Sequence, residues 1–473
     1  MSQTVFVTLV LGLDIGSTST KAALVEVADE VAVVRLARTT TPATVGDLVD
    51  AAAALARECL GDAAESVAAV GIASMAESGA ALGADGHPLT PLLRWDRRVD
   101  PRHLDDLLSR HPDLPSQTGV PATTKPAAVA LRSLRAESPG LFDAMRHWSG
   151  VADLVAHALT GVRATDHTLA ARTMMAGAQG SAWDAAVLST VGIRTSMLPE
   201  LRPPGAAVGV TSPGARAFGL GPGVPVYIAG HDHAVGAWAS GVRTPGAVAD
   251  SLGTAEAIVR VTDAADTGAA VAQGFSIGRT VDGAAATVIG GSRACGAMLE
   301  WWAAAHPGDD LLTTLAALPD DAWTPSPVTV LPYPSGRQCP RPDPAANVVE
   351  SGAARDGKDR VRAVLEGLVF HARWMRETAD LLAGSAATDL TVLGSLAQRV
   401  PSWAPLAAAA GTTTFTTACA EAVAAGAALL AAVRAGAASD QLSLARDHVV
   451  PASAPDLDHA YRRFLDTALE GAS

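Results

Sequence analysis

The sequence predicts an α/β protein built from two related lobes. Three observations lead there. Strand-like apolar runs alternate with helical stretches through the first half. A turn of glycine and hydroxyl residues sits between two of those runs, in GLDIGSTSTKAALVEV at 12–27. A second turn of the same layout, VADSLGTAEAIVRV at 248–261, opens the second half.

Taken in order, strand-like runs cover 5–13, 22–27 and 31–36. A helical stretch follows at about 44–60, where Leu48, Leu55 and several alanines supply the apolar surface. SVAAVGIAS reads as a strand ending at Ser74. Helical patterns return at about 125–136 and 151–159, and the strand VPVYIAG ends at Gly230. Polar residues fall just beyond the strand ends, where α/β sheets hold their ligands. The first turn crowds backbone N–H groups and hydroxyls near Asp14, which suits a polyphosphate and its metal. A polar hairpin loop accounts for the stretch equally well, and no GxxxxGK[ST] phosphate loop is present. The echo at 248–261 favours a duplicated α/β protein with one such turn on each side of a cleft.

The 473 residues suffice for two or three domains. A formal charge of −13 without any Lys/Arg block argues against a nucleic-acid partner. Cys59, Cys295, Cys339 and Cys419 are dispersed, with no CxxC and no zinc spacing, as expected in a reducing cytoplasm. The N-terminal apolar run lacks a basic leader and is interrupted by Asp14, unlike a signal peptide. The alanine-rich stretch 418–433 is too short for a membrane span, so no membrane partner is expected.

Five ordered segments then resemble the FGGY family of carbohydrate kinases over nearly the full length. They are LGLDIGSTSTKAALVEV; GIASMAESG at 71–79 with WDRR at 95–98; IAGHDHAVGAWASG at 228–241; DSLGTAEA at 250–257; and the tail from TVLGSLAQRVPSW to AEAVAAGAALLAAV. The resemblance implies an actin-like ATPase (ribonuclease H-like) fold with a duplicated nucleotide-binding core. Residues 1–240 would form the N-terminal lobe, with the sugar wall and first phosphate turn. Residues 241–473 would form the C-terminal lobe, with the second turn and the adenosine site. ATP and Mg²⁺ are implied, and a homodimer is left open.

By the same resemblance, Asp14 faces Mg²⁺ through water, and Gly16, Ser17, Thr18 and Ser19 approach the β/γ-phosphates. Lys21 either holds phosphate or sits at a wet strand edge. Gly253 and Thr254 form the second phosphate turn, with Ser251 supporting it. Asp232, in GHDH, is the expected catalytic base, because a positioned carboxylate can take the proton of an attacking sugar hydroxyl. On a continuous strand His231 and His233 would share one face and Asp232 the other, and only a bend would gather all three. Met75, Glu77, Asp96 and His233 are expected to bind the acceptor. Gly394 and Ser395 mark the adenosine site, where serine replaces a family glycine and lacks its freedom at positive φ. Trp301 and Trp302 read as core or interface residues. Arg337, in a Pro-rich excursion at 325–344, approaches ligand only if that loop folds inward. The expected reaction is transfer of the ATP γ-phosphoryl group to a pentulose or related sugar or polyol, with D-xylulose the best single choice. A gluconokinase-like aldonate kinase and an inactive sugar-responsive binding protein are the alternatives.

Overall fold

The computed structural model describes residues 7–253 and 255–470. They form two compact units. The first comprises the chain to Gly241 with Ile277–Ala284 and Ala422–Leu444; the second comprises Val242–Ser276, Ala285–Glu421 and the chain from Ala445.

The first unit is built on strands β1 (Thr8–Ile15), β2 (Ser19–Val27), β3 (Val31–Thr40), β4 (Val67–Ser74) and β5 (Pro225–His231). Their spatial order is β3-β2-β1-β4-β5, with the short strand Gly209–Val210 at the edge. β1, β2 and β3 are antiparallel, and β4 and β5 run parallel to β1. One face of β1 carries Leu11, Leu13 and Ile15 into a core shared with Leu48, Ala52 and Ala56 of the helix Val45–Leu60 and with the helix Val151–Thr160. Thr44 caps the first of these helices, its hydroxyl accepting from the Asp47 amide at 3.2 Å.

The second unit repeats this pattern with strands β6 (Ala247–Leu252), β7 (Glu256–Thr262), β8 (Ala286–Ser292), β9 (Asp389–Leu393) and β10 (Thr414–Thr416). Their order is β8-β7-β6-β9-β10. Again three strands are antiparallel and two run parallel to the first. The β1–β2 and β6–β7 hairpins therefore occupy equivalent places in two copies of one plan, so the echo between 12–27 and 248–261 is topological. Among the described residues no helix is long and apolar enough to cross a membrane.

Two stretches expected in the second lobe, 277–284 and 422–444, fold instead with the first unit. The small residues of the helix Ala422–Arg434 explain the second. A Cβ added at Gly12 would lie 2.0 Å from the Ala424 carbonyl oxygen, and one at Gly71 only 1.9 Å from that of Ala427. Helix and sheet thus meet backbone to backbone. Gly426 faces the helix Asp232–Ala239, where an added Cβ would come within 2.6 Å of Ala239 Cβ. The mid-helix glycine therefore serves close packing.

Candidate active site

The β1–β2 turn is held from several sides. Asp14 and Lys21 are directly opposed across the strands and form an ion pair of 3.4 Å. Lys21 is thus engaged with the buried Asp14 carboxylate. The Gly16 amide donates to the Ser19 carbonyl at 3.0 Å, and the Thr41 hydroxyl donates to the Gly16 carbonyl at 2.7 Å. Thr18 lies exposed at the tip, with Gly16, Ser17 and Ser19 partly buried around it. Trp95 Nε1 donates to Ser17 Oγ at 2.7 Å, and that hydroxyl lies 3.6 Å from Met75 Sδ. Arg94 Nη1 donates to the Ser17 carbonyl at 2.7 Å. The WDRR loop and the first turn are consequently one tied assembly, in which Trp95 is an anchor.

The Asp96 carboxylate accepts both Nε and Nη2 of Arg94, at 3.0 and 2.9 Å. Such a paired arrangement fixes the planar guanidinium that grips the turn. Arg97 is partly buried beside it, and loss of solvent pulls its guanidinium down to about 10 against the opposing charges of Asp96, Glu137 and Glu77.

Glu77 occupies the left-handed region at φ 63°, uncommon for a residue with a Cβ. Its Oε1 lies 2.6 Å from Arg172 Nη2 in a largely buried ion pair. Arg172 lies 95 positions further along the chain. No motif in the sequence signals it, because only the fold brings TDHTLAART beside the 71–79 segment.

The GHDH segment departs from a continuous strand. β5 ends at His231, and a helix begins at Asp232. The junction is shaped by Gly230 at φ 131°, where an added Cβ would lie 2.6 Å from Thr168 Oγ1. That same hydroxyl accepts the His231 amide at 2.9 Å and donates to Asp166 at 2.5 Å. The turn into the helix swings Asp232 toward both neighbours. Its Oδ1 accepts the His233 amide at 2.7 Å and lies 3.2 Å from His231 Nε2. Burial pushes His231 down to about 4, with Asp232 opposing and His233 and Arg172 adding to the fall. At neutral pH a neutral imidazole therefore orients the Asp232 carboxylate. The His231 and His233 rings meet edge to face at 5.7 Å. Among the described residues no three His, Cys, Asp or Glu side chains are grouped as a metal ion would require.

In the second unit, Gly253 is exposed in the β6–β7 turn and its amide donates to the Ala255 carbonyl at 3.0 Å. Thr254 lies outside the described residues. Gly394 follows β9 with φ 104°, and an added Cβ would sit 2.2 Å from the Leu252 carbonyl oxygen. Ser395 begins the helix Ser395–Arg399 and is not among the positive-φ residues. Glycine's backbone freedom is thus needed at 394, and the serine at 395 meets no such demand. Arg337 does fold inward, but its guanidinium lies over the Tyr333 and Trp374 rings at 5.4 and 5.1 Å. Trp302 is buried and stacks obliquely on His306 at 4.1 Å, a packing role.

The β6–β7 hairpin also buries two carboxyl groups that sequence patterning did not single out. Asp250, 1% exposed, accepts Trp403 Nε1 at 3.2 Å. Glu256, also 1% exposed, has no hydrogen-bond partner at either oxygen among the described residues. Burial raises Asp250 to about 7; burial and the Asp250 charge raise Glu256 well above the ordinary carboxylate range. The folded unit therefore retains protons that an unfolded chain releases near pH 4. Its stability should fall as pH rises from about 4 through 7. Glu256→Gln should flatten that dependence, and urea unfolding at pH 5 and pH 8 should show a larger gain for the variant at pH 8. An equal change at both pH values would refute the assignment.

Two repeats of one strand plan, each with a small-residue turn between its first two strands, define an actin-like ATPase fold. The chain belongs to the FGGY family of carbohydrate kinases: the family's N-terminal domain matches residues 9–239 and its C-terminal domain residues 248–435. A 178-residue segment is 28% identical to the L-fuculokinase of Haemophilus influenzae, covering 36% of this chain and 37% of that protein. The chain thus matches little more than a third of that relative's length. A ligand-bound xylulose kinase from Lactobacillus acidophilus superposes with a TM-score of 0.84 at 19% identity, covering 98% of this chain and 99% of that one. A gluconate kinase from the same organism superposes at 0.83 with 18% identity, covering 98% and 97%. At these identities the structural likeness speaks for the fold.

Proposed function

We propose that this protein transfers the γ-phosphoryl group of ATP to a hydroxyl of a neutral sugar, with a pentulose such as D-xylulose as the first candidate. The observation that carries the reading is the setting of Asp232. It stands just beyond the end of β5, on a bend that Gly230 permits, and is oriented by a neutral histidine and a backbone amide. A carboxylate so placed accepts the proton of the attacking hydroxyl as the oxygen–phosphorus bond forms. Asp14 and the β1–β2 turn would receive the phosphates, with Gly16, Thr18 and Ser19 near them. Ser17, whose hydroxyl is engaged by Trp95, would contribute through its backbone. Met75, Glu77, Asp96 and His233 would line the acceptor side, with Asp96 also bracing Arg94. Gly253, Thr254, Gly394 and Ser395 would serve the nucleotide.

Magnesium fits this donor set. The ion prefers hard oxygen ligands and keeps much of its water, so one carboxylate, Asp14, beside a polar turn is a suitable outer partner. When bound with the nucleotide it would neutralise phosphate charge.

The test is an acceptor screen with Mg-ATP and four compounds: D-xylulose, L-fuculose, glycerol and D-gluconate. Product mass and position-resolved NMR would identify the phosphorylated hydroxyl. Turnover is expected with a neutral sugar and greatest for a ketose. Turnover confined to D-gluconate would replace the neutral-sugar reading by an aldonate kinase. Binding without transfer to any of the four would favour a sugar-responsive binding protein.

A further inference from the structure

Resting on that reading of the acceptor side, we propose that Arg172 is a specificity-determining residue that donates directly to an oxygen of the acceptor while holding Glu77 in place. Two features of the guanidinium lead to this. One nitrogen, Nη2, is committed to Glu77 at 2.6 Å. The other two, Nε and Nη1, are buried and have no hydrogen-bond partner among the described residues. A guanidinium carries five N–H donors and cannot shed its charge, so donors kept from water favour an oxygen that can accept them. The side chain retains 18% of its exposure, so the group is not sealed in the core.

The surroundings say where that oxygen would come from. The charges of Arg172 and Glu77 are both felt at the His231 ring, which touches Asp232. Arg172 therefore belongs to the same cluster as the proposed base. Its own backbone is firmly set. It lies in the short helical turn Ala171–Thr173, just after a helix capped by Asp166, and Asp166 also accepts the Thr168 hydroxyl that holds the His231 amide. Met174, directly after the turn, sits at φ 59°, and Glu77 at φ 63°. One partner of the ion pair is thus itself a left-handed residue and the other lies two positions before one, a feature that clusters where side chains are held for ligands.

The pairing also changes what the pocket reads. Glu77 alone would offer only acceptors and a full negative charge. Tied to Arg172, it still accepts from hydroxyls while the pair carries no net charge. The remaining guanidinium donors complement a carbonyl or hydroxyl oxygen. An uncharged polyoxygenated acceptor is matched on both counts.

A double-mutant cycle on the full-length protein separates direct recognition from support of Glu77. Dissociation constants for D-xylulose, L-fuculose, glycerol and D-gluconate would be measured by calorimetry for wild type, R172Q, E77Q and the double variant, with ATP affinity as a control. R172Q is expected to weaken the best-bound compound at least tenfold, and to weaken it again severalfold in the E77Q background. ATP affinity should stay within twofold. Loss of the R172Q effect in the E77Q background would reduce Arg172 to a support for Glu77 and overturn the proposal. Equal weakening of ATP, or no binding of any of the four compounds to wild type, would overturn it too. R172K keeps the charge but not the planar donor set. Should R172Q fail to fold, a folded R172K with unchanged acceptor affinity would be equally damaging. Wild-type protein that binds an acceptor but never phosphorylates it would refute the kinase reading while leaving this comparison intact.

Discussion

Asp232→Asn should lower phosphoryl transfer by roughly 10²–10⁴-fold, the usual scale of general acid–base assistance. Asparagine keeps the size of the side chain and can still accept the His233 amide that now reaches Asp232 Oδ1 at 2.7 Å. The fold and most ground-state binding should therefore survive. The neutral state of His231 matters to this expectation. Because burial holds that ring near 4, it binds a proton weakly and is a poor substitute base for the lost carboxylate. Single-turnover transfer, with both ligand affinities measured in parallel, is the decisive comparison. Unchanged chemical turnover in a folded variant would exclude Asp232 as the base. Asp14→Asn should behave differently: its defect should deepen at low Mg²⁺, since the role proposed for Asp14 is toward the nucleotide's metal.

The second large effect concerns packing. Gly71→Ala should destabilise the first unit by about 3 kcal/mol, the upper part of the range for overpacking a rigid core. A methyl group at Gly71 would lie 1.9 Å from the Ala427 carbonyl oxygen and 2.5 Å from its carbon. Both are backbone atoms of the helix Ala422–Arg434, so no side-chain rotation relieves the clash. The helix or the sheet must shift. That helix is also tied down at its end, where Arg434 donates to the Ile228 carbonyl at 2.8 Å and the Val281 carbonyl at 2.9 Å. Ile228 lies in β5, three residues before His231, so a displaced helix should also disturb the GHDH bend. Gly46→Ala is the matched control. It lies in the helix Val45–Leu60 and an added Cβ meets nothing within 4 Å, so alanine should be neutral or slightly stabilising there. Urea unfolding of the two variants would separate them. Similar midpoints would show that the sheet accommodates the methyl group.

Much of the architecture was legible because it rests on local signals. Periodicity marked the alternation of strands and helices, and small-residue turns marked the two equivalent hairpins. Asp14, Gly16 and Gly253 could be placed because strand ends and turns are properties of neighbouring residues. The GHDH segment marks the limit of local signals. Alternation along a strand separates His231 and His233 from Asp232 and only a bend brings them together, which the chain makes at Gly230. A positive φ there depends on Thr168 and Asp166, more than sixty positions away. Likewise, the run at 393–399 leaves open whether the Ser395 backbone is strained or relaxed. The tertiary structure puts the tight approach at Gly394, against the Leu252 carbonyl.

The sequence by itself determined the α/β alternation, the repeated hairpin turns and the family to which they belong. Only the tertiary structure decided that the helix Ala422–Arg434 folds with the first unit, that Asp96 is paired with Arg94, and that Glu77 is paired with Arg172. The physical reason is range. Backbone propensity and apolar period act over a few residues, so the sequence states them openly. Charge pairing, close backbone approach and burial join residues tens to hundreds of positions apart, and they acquire meaning only after the chain has brought those residues together.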